Sequence, residues 1–532
     1  MAQRQEELTL LYELYEKAQS HSAYLRIRNA IPKCVDFYEG RQWPAPTEST
    51  KNLPRPVINV VKSICRSKKS AILSTPTRVS FKSYTQGVDV SKFNSFANSI
   101  FKELGQAHFD RLAIDDAVKK GSYFYHYYWD KNATDLNGIR DGGVRCELID
   151  PLNIFFANPT LPSEQEQRWI LIATQLEIDD ALAMADKGLC LTRASLQNEA
   201  KENGYVTLLT QYFRINGEVF CQRATKTRVI NAPFPLAPSS LDMENSQQRP
   251  VRAGLYPIVA GVYERKEGSI YGLSEIEGII PNQKAINFNI AMSLLNAQEC
   301  AWGKYIALPN ALKGQKISNV PGQVLIDHTG TGEGIRRMND SPLSQIPGEL
   351  SSTLIDLTKS VTGASGIAGG ELEWTNLSGT AIARLQAQAQ VPLEDLRNEF
   401  WEAKRKQGLI IAQFMKLYYY KKPFITRIFE NGREREVFDF FTSKDYENAI
   451  FDTVVEITGG GIASCASDIS MLDTCLKNGS ISIETYIKAY PESAISNKSE
   501  LLKQIELEKA SELCRLREEI KRLKGENSQI NA

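Results

Sequence analysis

Two glycine-rich stretches come nearest to a pattern that could do chemistry, the cradling of a phosphate by backbone amides. They are Gly330-Thr331-Gly332-Glu333-Gly334 and the run 363–370, Gly-Ala-Ser-Gly-Ile-Ala-Gly-Gly. A phosphate-binding loop of that kind needs a lysine at fixed spacing and a helix opening behind it. The first stretch has neither and reads as a turn, and the second also lacks the lysine. No His-Glu-x-x-His pair or nucleophile elbow occurs, and no Asp or Glu residues form a recognisable paired-carboxylate motif. Nine cysteines are scattered between Cys34 and Cys514 with no Cys-x-x-Cys spacing, beside only His21, His108, His126 and His328. A zinc site is not expected from that set, and the thiols read as free cysteines of a reducing compartment. The chain is therefore expected to hold no catalytic residue, no metal and no cofactor.

Charge points the same way. Acidic and basic residues stand at 63 each in 532 residues. A protein that grips nucleic acid by counterion release carries a basic excess. With none here, any contact with DNA is expected to be weak, local or transient. A net charge near zero also removes one barrier to self-association. The N-terminal segment is charged and amphipathic, so no leader peptide is expected, and no run of ~18 uncharged apolar residues predicts a membrane span.

The elements that must position any site follow from periodicity. Apolar residues at helical spacing predict helix over 5–38, broken at Pro32, and again over 89–120 with Phe93, Phe96, Ile100, Leu104, Phe109 and Leu112 on one face. From 121 to about 265 the pattern is that of strands, and the proline tract at 232–240 reads as a surface loop. A long helix follows from Gly272. Ile276, Ile279, Ile286 and Ile290 form its apolar stripe, flanked by the amides Asn282, Gln283, Asn287, Asn289, Asn296 and Gln298. Then come a strand-and-turn insert, a helix over 344–363, the glycine-rich loop, and a very long helix with Pro392 as a kink. A hairpin turning at Asn431-Gly432, one more strand and a helical tail complete the chain.

This order, with four local stretches in it, resembles the portal proteins of tailed bacteriophages over nearly the whole chain. The stretches are Phe37-Tyr38-Glu39-Gly40-Arg41-Gln42-Trp43 with Arg55-Pro56 and Asn59; Tyr271-Gly272-Leu273-Ser274-Glu275-Ile276-Glu277 with Asn282-Gln283; Leu377-Ser378-Gly379-Thr380-Ala381-Ile382; and Lys477-Asn478-Gly479-Ser480-Ile481-Ser482. Each alone is weak, but four in the right order on matching element types are specific.

The resemblance implies an α+β fold that builds a homo-oligomeric ring, usually of twelve copies. Its parts would be a wing over 1–270, a stem helix over 271–303, a clip over 304–343, a second stem helix over 344–363, a tunnel loop over 364–379, a long wing helix over 380–420, wing strands over 421–462 and a helical crown over 463–532. The ring would sit at the portal vertex of a virion, assembled in the bacterial cytoplasm. It would pass double-stranded DNA and meet terminase, the head–tail connector, and the major capsid and scaffolding proteins, with no membrane involved.

On that reading Gly366, Gly369, Gly370, Glu371, Glu373 and Trp374 line the channel, the glycines giving mobility and the acids repelling phosphate. Trp374 is equally a packing anchor. In the clip, Lys313, Lys316, Arg336 and Arg337 either face acidic partners or DNA, or are solvated surface. The competing readings are a DNA-processing enzyme such as a nuclease, which needs a metal cluster or nucleophile, and another head–tail adaptor ring, which is usually much shorter.

Overall fold

In a computed structural model of the chain, the residues described are 2–48, 50–51, 53–73, 77–134, 142–185, 193–200, 204–237, 252–301, 305–309, 311–316, 324, 326–330, 333–337, 346–363, 393–430, 433–457, 471–489, 501, 504, 505 and 511. They belong to two compact units. The larger takes Met1–Ile72, Val79–Glu371 and Pro392–Val455, and the smaller takes Leu73–Arg78, Leu372–Val391 and Glu456–Ala532.

The chain opens with helices α1 (Ala2–Ser20), α2 (Ser22–Glu39) and α3 (Val60–Leu73), strand β1 (Thr77–Ser83), and helices α4 (Val90–Glu103) and α5 (Gln106–Lys120). The first break falls at His21, whose ring accepts a hydrogen bond from the Ala23 amide and caps α2. Pro32 lies inside α2, where buried Ile27, Ile31, Cys34 and Phe37 hold the helix together across it. The predicted helix over 89–120 is two helices, because Gly105 takes a left-handed φ of 64°. That resets the register. Phe93, Phe96 and Ile100 are buried as read, but α5 buries Ala113, Ile114, Ala117 and Val118, and Leu112 is exposed.

The strands follow as β2 (Ser122–Asp130), β3 (Gly143–Ile149), β4 (Ile154–Phe156) and β5 (Trp169–Glu177). After short helices α6 (Ile178–Ala183) and α7 (Arg193–Gln197) come β6 (Tyr205–Ile215), β7 (Glu218–Ala224), β8 (Val229–Pro235) and β9 (Ile258–Val262). They form an antiparallel three-stranded sheet in the order β3-β2-β9 and a five-stranded meander, β4-β5-β6-β7-β8. The proline tract begins inside β8 rather than as a loop: Phe220 pairs with Pro235 and Cys221 with Phe234. This strand is the sheet's edge, where a proline costs no ladder bond on the open side.

Beyond the sheets run α8 (Glu275–Ala301), β10 (Tyr305–Ala307), β11 (Ile335–Arg337) and α9 (Ile346–Val361). Then come α10 (Glu394–Tyr418), the hairpin β12 (Lys422–Glu430) and β13 (Arg433–Phe441), and β14 (Phe451–Ile457). Glu430 pairs with Arg433 in the hairpin, and the Asn431-Gly432 turn read from sequence lies outside the described residues. In the smaller unit, α11 (Ile483–Ala489) follows a helical segment over 471–477.

The core of the larger unit lies where α1 and α2 cover the meander, around Phe124, Phe155, Phe156, Tyr212, Tyr256 and Tyr271. A second aromatic group, Phe81, Phe93, Phe96, Phe441, Tyr446 and Phe451, joins α4 to the hairpin and β14 through ring contacts of 4.0–6.3 Å.

Candidate functional site

Helix α8 is the element from which the expected site projects, and its first half is anchored by amides. Ser274 begins the anchoring: its hydroxyl donates to the Val118 carbonyl and accepts from the Ile276 amide. Gln283 is fully buried. Its Oε1 accepts from the amides of Val60 and Val61 at 3.1 and 3.3 Å, at the start of α3. Its Nε2 donates to the Ile58 carbonyl at 2.7 Å and to Asn287 Oδ1 at 3.0 Å. Asn287 in turn donates to Gln42 Oε1 at 2.6 Å, and Gln42 to the Phe37 carbonyl at 2.8 Å. The amide flank named from sequence is partly used up inside the chain. Gln283 and Asn287 find their partners within the chain, and Asn282 donates to Thr358 of α9 at 3.2 Å.

Beside Lys284, α8 leaves large apolar side chains open. Phe288 and Met292, one turn apart, are 51% and 38% exposed, and Leu294 is 43% exposed. On α9, Leu350, Leu357 and Val361 are exposed as well. A helix with a buried polar lock on one side and bare apolar side chains on the other is shaped for a partner.

Between the two helices, β10 and β11 pair Tyr305 with Arg337, Ile306 with Arg336 and Ala307 with Ile335. The loop they enclose is fastened by side chains. Asp327 accepts from the Thr329 and Gly334 amides at 2.8 and 3.0 Å, and Gln315 accepts from the Ile326 amide at 3.1 Å. Gly334 is required there, since a Cβ would sit 2.3 Å from Asp327 Oδ1. Lys313, with φ 38°, Lys316 and Arg336 are exposed, and Arg337 lies in β11. The ribbon also exposes Tyr305, Ile306, Leu308 and Ile326, which sequence reading did not single out. The channel candidates Gly366, Gly369, Gly370, Glu371, Glu373 and Trp374, and the kink at Pro392, lie outside the described residues.

One constellation has the order of nucleophile, base and orienting acid. Tyr212 Oη lies 2.7 Å from His126 Nε2, and His126 Nδ1 lies 2.6 Å from Glu147 Oε1. Tyr212 and His126 are buried, and burial pushes the Tyr212 hydroxyl well above its ordinary pKa. Burial also raises the Glu147 carboxyl, but the hydrogen bond and charge of His126 outweigh it and leave its pKa lowered. A hydroxyl sealed in the core cannot reach a substrate, so the arrangement is a tie between the two sheets. Among the described residues no group of His, Cys, Asp and Glu could hold a metal ion, and no helix is long and apolar enough to cross a membrane.

Residues 242–460 match the phage P22-like portal protein family. The match takes in α8, the β10–β11 ribbon, α9, α10 and the β12–β13 hairpin, and it bears out the resemblance to portal proteins. It supports a portal function on a mixed helix-and-sheet fold. No curated protein matches the chain. Among solved structures the chain is similar to one in "Virion of native gene transfer agent (GTA) particle", at 10% identity and a TM-score of 0.37, over 80% of this chain and 88% of that one. It is also similar to one in "Neck of empty GTA particle computed with C6 symmetry", at 9% identity and a TM-score of 0.38, over 83% of this chain and 91% of that one.

Proposed function

We propose that the chain is the subunit of a phage portal ring, twelve copies around a channel at one capsid vertex. Genome enters through it during packaging and leaves through it at ejection. The observation that carries the reading is the portal-family match over 242–460, the stretch that holds the two helices with bare apolar faces and the ribbon between them. In this reading α8 and α9 are the stem, and Phe288, Met292 and Leu357 are covered by neighbouring copies. The ribbon is the clip, where Lys313, Lys316, Arg336 and Arg337 meet terminase first and the head–tail connector afterwards. Segment 364–379 lines the narrowest point of the channel, and 463–532 is the crown.

The test is the mass of the purified protein in solution together with negative-stain imaging. Rings with a central hole and a mass near twelve subunits are expected. A stable monomer at micromolar concentration and physiological salt would refute the reading.

A further inference from the structure

The chain balances its charges overall, but one face of the larger unit does not. It lies where the end of α2 meets α3, α5 and α8. Lys62, Arg66 and Lys69 follow one another at helical spacing on one side of α3. The Lys62 ammonium sits 5.5 Å from the centroid of the Tyr38 ring, and Lys119 of α5 shares that ring at 4.2 Å. Lys284 of α8 lies 5.7 Å from the centroid of Phe37. Lys69 and Lys119 both hold Asp115, at 2.8 and 2.5 Å.

The other acids nearby are engaged elsewhere: Asp36 and Glu39 by Arg41, and Asp116 by Lys120. Among the described residues, Lys62, Arg66 and Lys284 have no carboxylate partner, and Arg66 and Lys284 are exposed. Five cations thus face Asp115 and the one negative charge that Arg41 leaves on Asp36 and Glu39. A ring face attracts a cation but brings no neutralising charge. Gathering like charges costs free energy that a bound anion offsets.

We propose that this face is a contact for the phosphate backbone of duplex DNA. Successive cations on α3 stand about 4.5–6 Å apart along the axis, close enough to meet neighbouring phosphates of one strand. The rings of Phe37 and Tyr38 hold three of the lysines in place, so less side-chain freedom is lost on contact. A patch this small binds weakly and is sensitive to salt. That suits a duplex that must move, and a chain whose total charge is zero. The proposal rests on the portal reading only for the presence of the duplex.

The experiment uses the full chain and a fluorescent 30-base-pair duplex, with anisotropy read across a salt series. Wild type is expected to bind at low salt and release as salt rises. The triple variant Lys62→Glu, Arg66→Glu, Lys284→Glu should bind at least about tenfold more weakly. Its plot of log affinity against log salt should be shallower by about three, one for each lost phosphate contact. A control, Lys421→Glu with Lys444→Glu, reverses two lysines that sit over Phe440 and Tyr420 on the hairpin side and should bind as wild type does.

The idea is overturned if wild type does not bind the duplex at low salt, if the triple variant binds as tightly as wild type, or if the control loses as much. It is also overturned if a polyglutamate peptide binds this face and the duplex does not, which would make the partner an acidic protein. The mass of the same sample is measured in parallel. Rings that ignore DNA would sink this proposal and leave the portal reading standing, while monomers that bind DNA through these residues would do the reverse.

Discussion

Gln283 and Asn287 stand one turn apart on α8, and the first donates to the second at 3.0 Å inside a site closed to solvent. Together they tie the helix that carries the projecting ribbon to the start of α3 and to the loop after α2. Gln283 takes two amide hydrogens at the first turn of α3; the Val60 amide also donates to the Ile58 carbonyl, so an apolar residue of the same size would strand the Val61 amide. Gln283→Leu is expected to lower stability by about 2–4 kcal/mol. Urea unfolding followed by circular dichroism checks this, and a variant with the wild-type midpoint would show that the lock is not needed.

A second buried polar junction joins three elements. Lys404 of α10 forms an ion pair with Asp110 of α5. Asp110 also accepts from Tyr125 Oη of β2 at 2.9 Å and from Gln106 Nε2 at 3.1 Å. Removing the cation leaves a buried carboxylate with only neutral donors. Lys404→Met alone should therefore destabilise by roughly 3–5 kcal/mol, while Lys404→Met with Asp110→Leu should recover part of the loss. A double-mutant cycle on melting temperature measures the coupling, and additive losses would mean the two groups act independently.

Asp115 gives a test in pH. Burial pushes its carboxyl up, but the hydrogen bonds and charges of Lys119 and Lys69 outweigh this and hold it below the ordinary value. A carboxyl depressed in the folded state stabilises fully above its unfolded pKa, about 3.9, and loses that contribution as pH falls through the folded pKa. Asp115→Asn is thus expected to be less stable than wild type near neutrality. The gap should narrow as pH drops below about 4. A gap that stays constant from pH 7 to 3 would contradict the assignment.

How much of this was legible in the sequence varied with the kind of signal. The strands of the meander and the β12–β13 hairpin could be read, because alternation and turn chemistry are local. The helices were placed, but their breaks were missed at His21 and Gly105. One glycine in a left-handed conformation resets the buried face, and periodicity averaged across it misassigned Leu112. The amides of α8 were noticed, but not that Gln283 and Asn287 lock the helix to its own chain. An amide looks the same in sequence whether it faces a second copy or its own loop, and only the distances to Val60, Ile58 and Gln42 tell which. The cationic face was invisible for a related reason: its cations come from three helices and its rings from a fourth, and the total charge hides them.

The smaller unit offers the last prediction. The helical segment over 471–477 ends where Gly479 takes φ 69°. The Gly479 amide donates to Leu476 and the Ser480 amide to Cys475, at 3.0 and 2.9 Å. These two bonds satisfy carbonyls that the helix end leaves open and turn the chain sharply. Three residues later Ser482 Oγ accepts from the Thr485 amide at 3.2 Å and caps α11. Tyr486 then donates to Asp473 at 2.5 Å and closes the two helical pieces against each other. The corner is thus fixed by local bonds before any distant contact is needed. Gly479→Ala places a Cβ in a conformation that disfavours it and should cost about 1 kcal/mol. Ser482→Ala should cost about 1 kcal/mol through the lost cap. If this corner belongs to a crown that forms after the ring closes, both variants should raise protease cleavage between residues 471 and 489 and leave the mass of the assembly unchanged. Loss of assembly in Ser482→Ala would instead make this corner part of the contact between subunits.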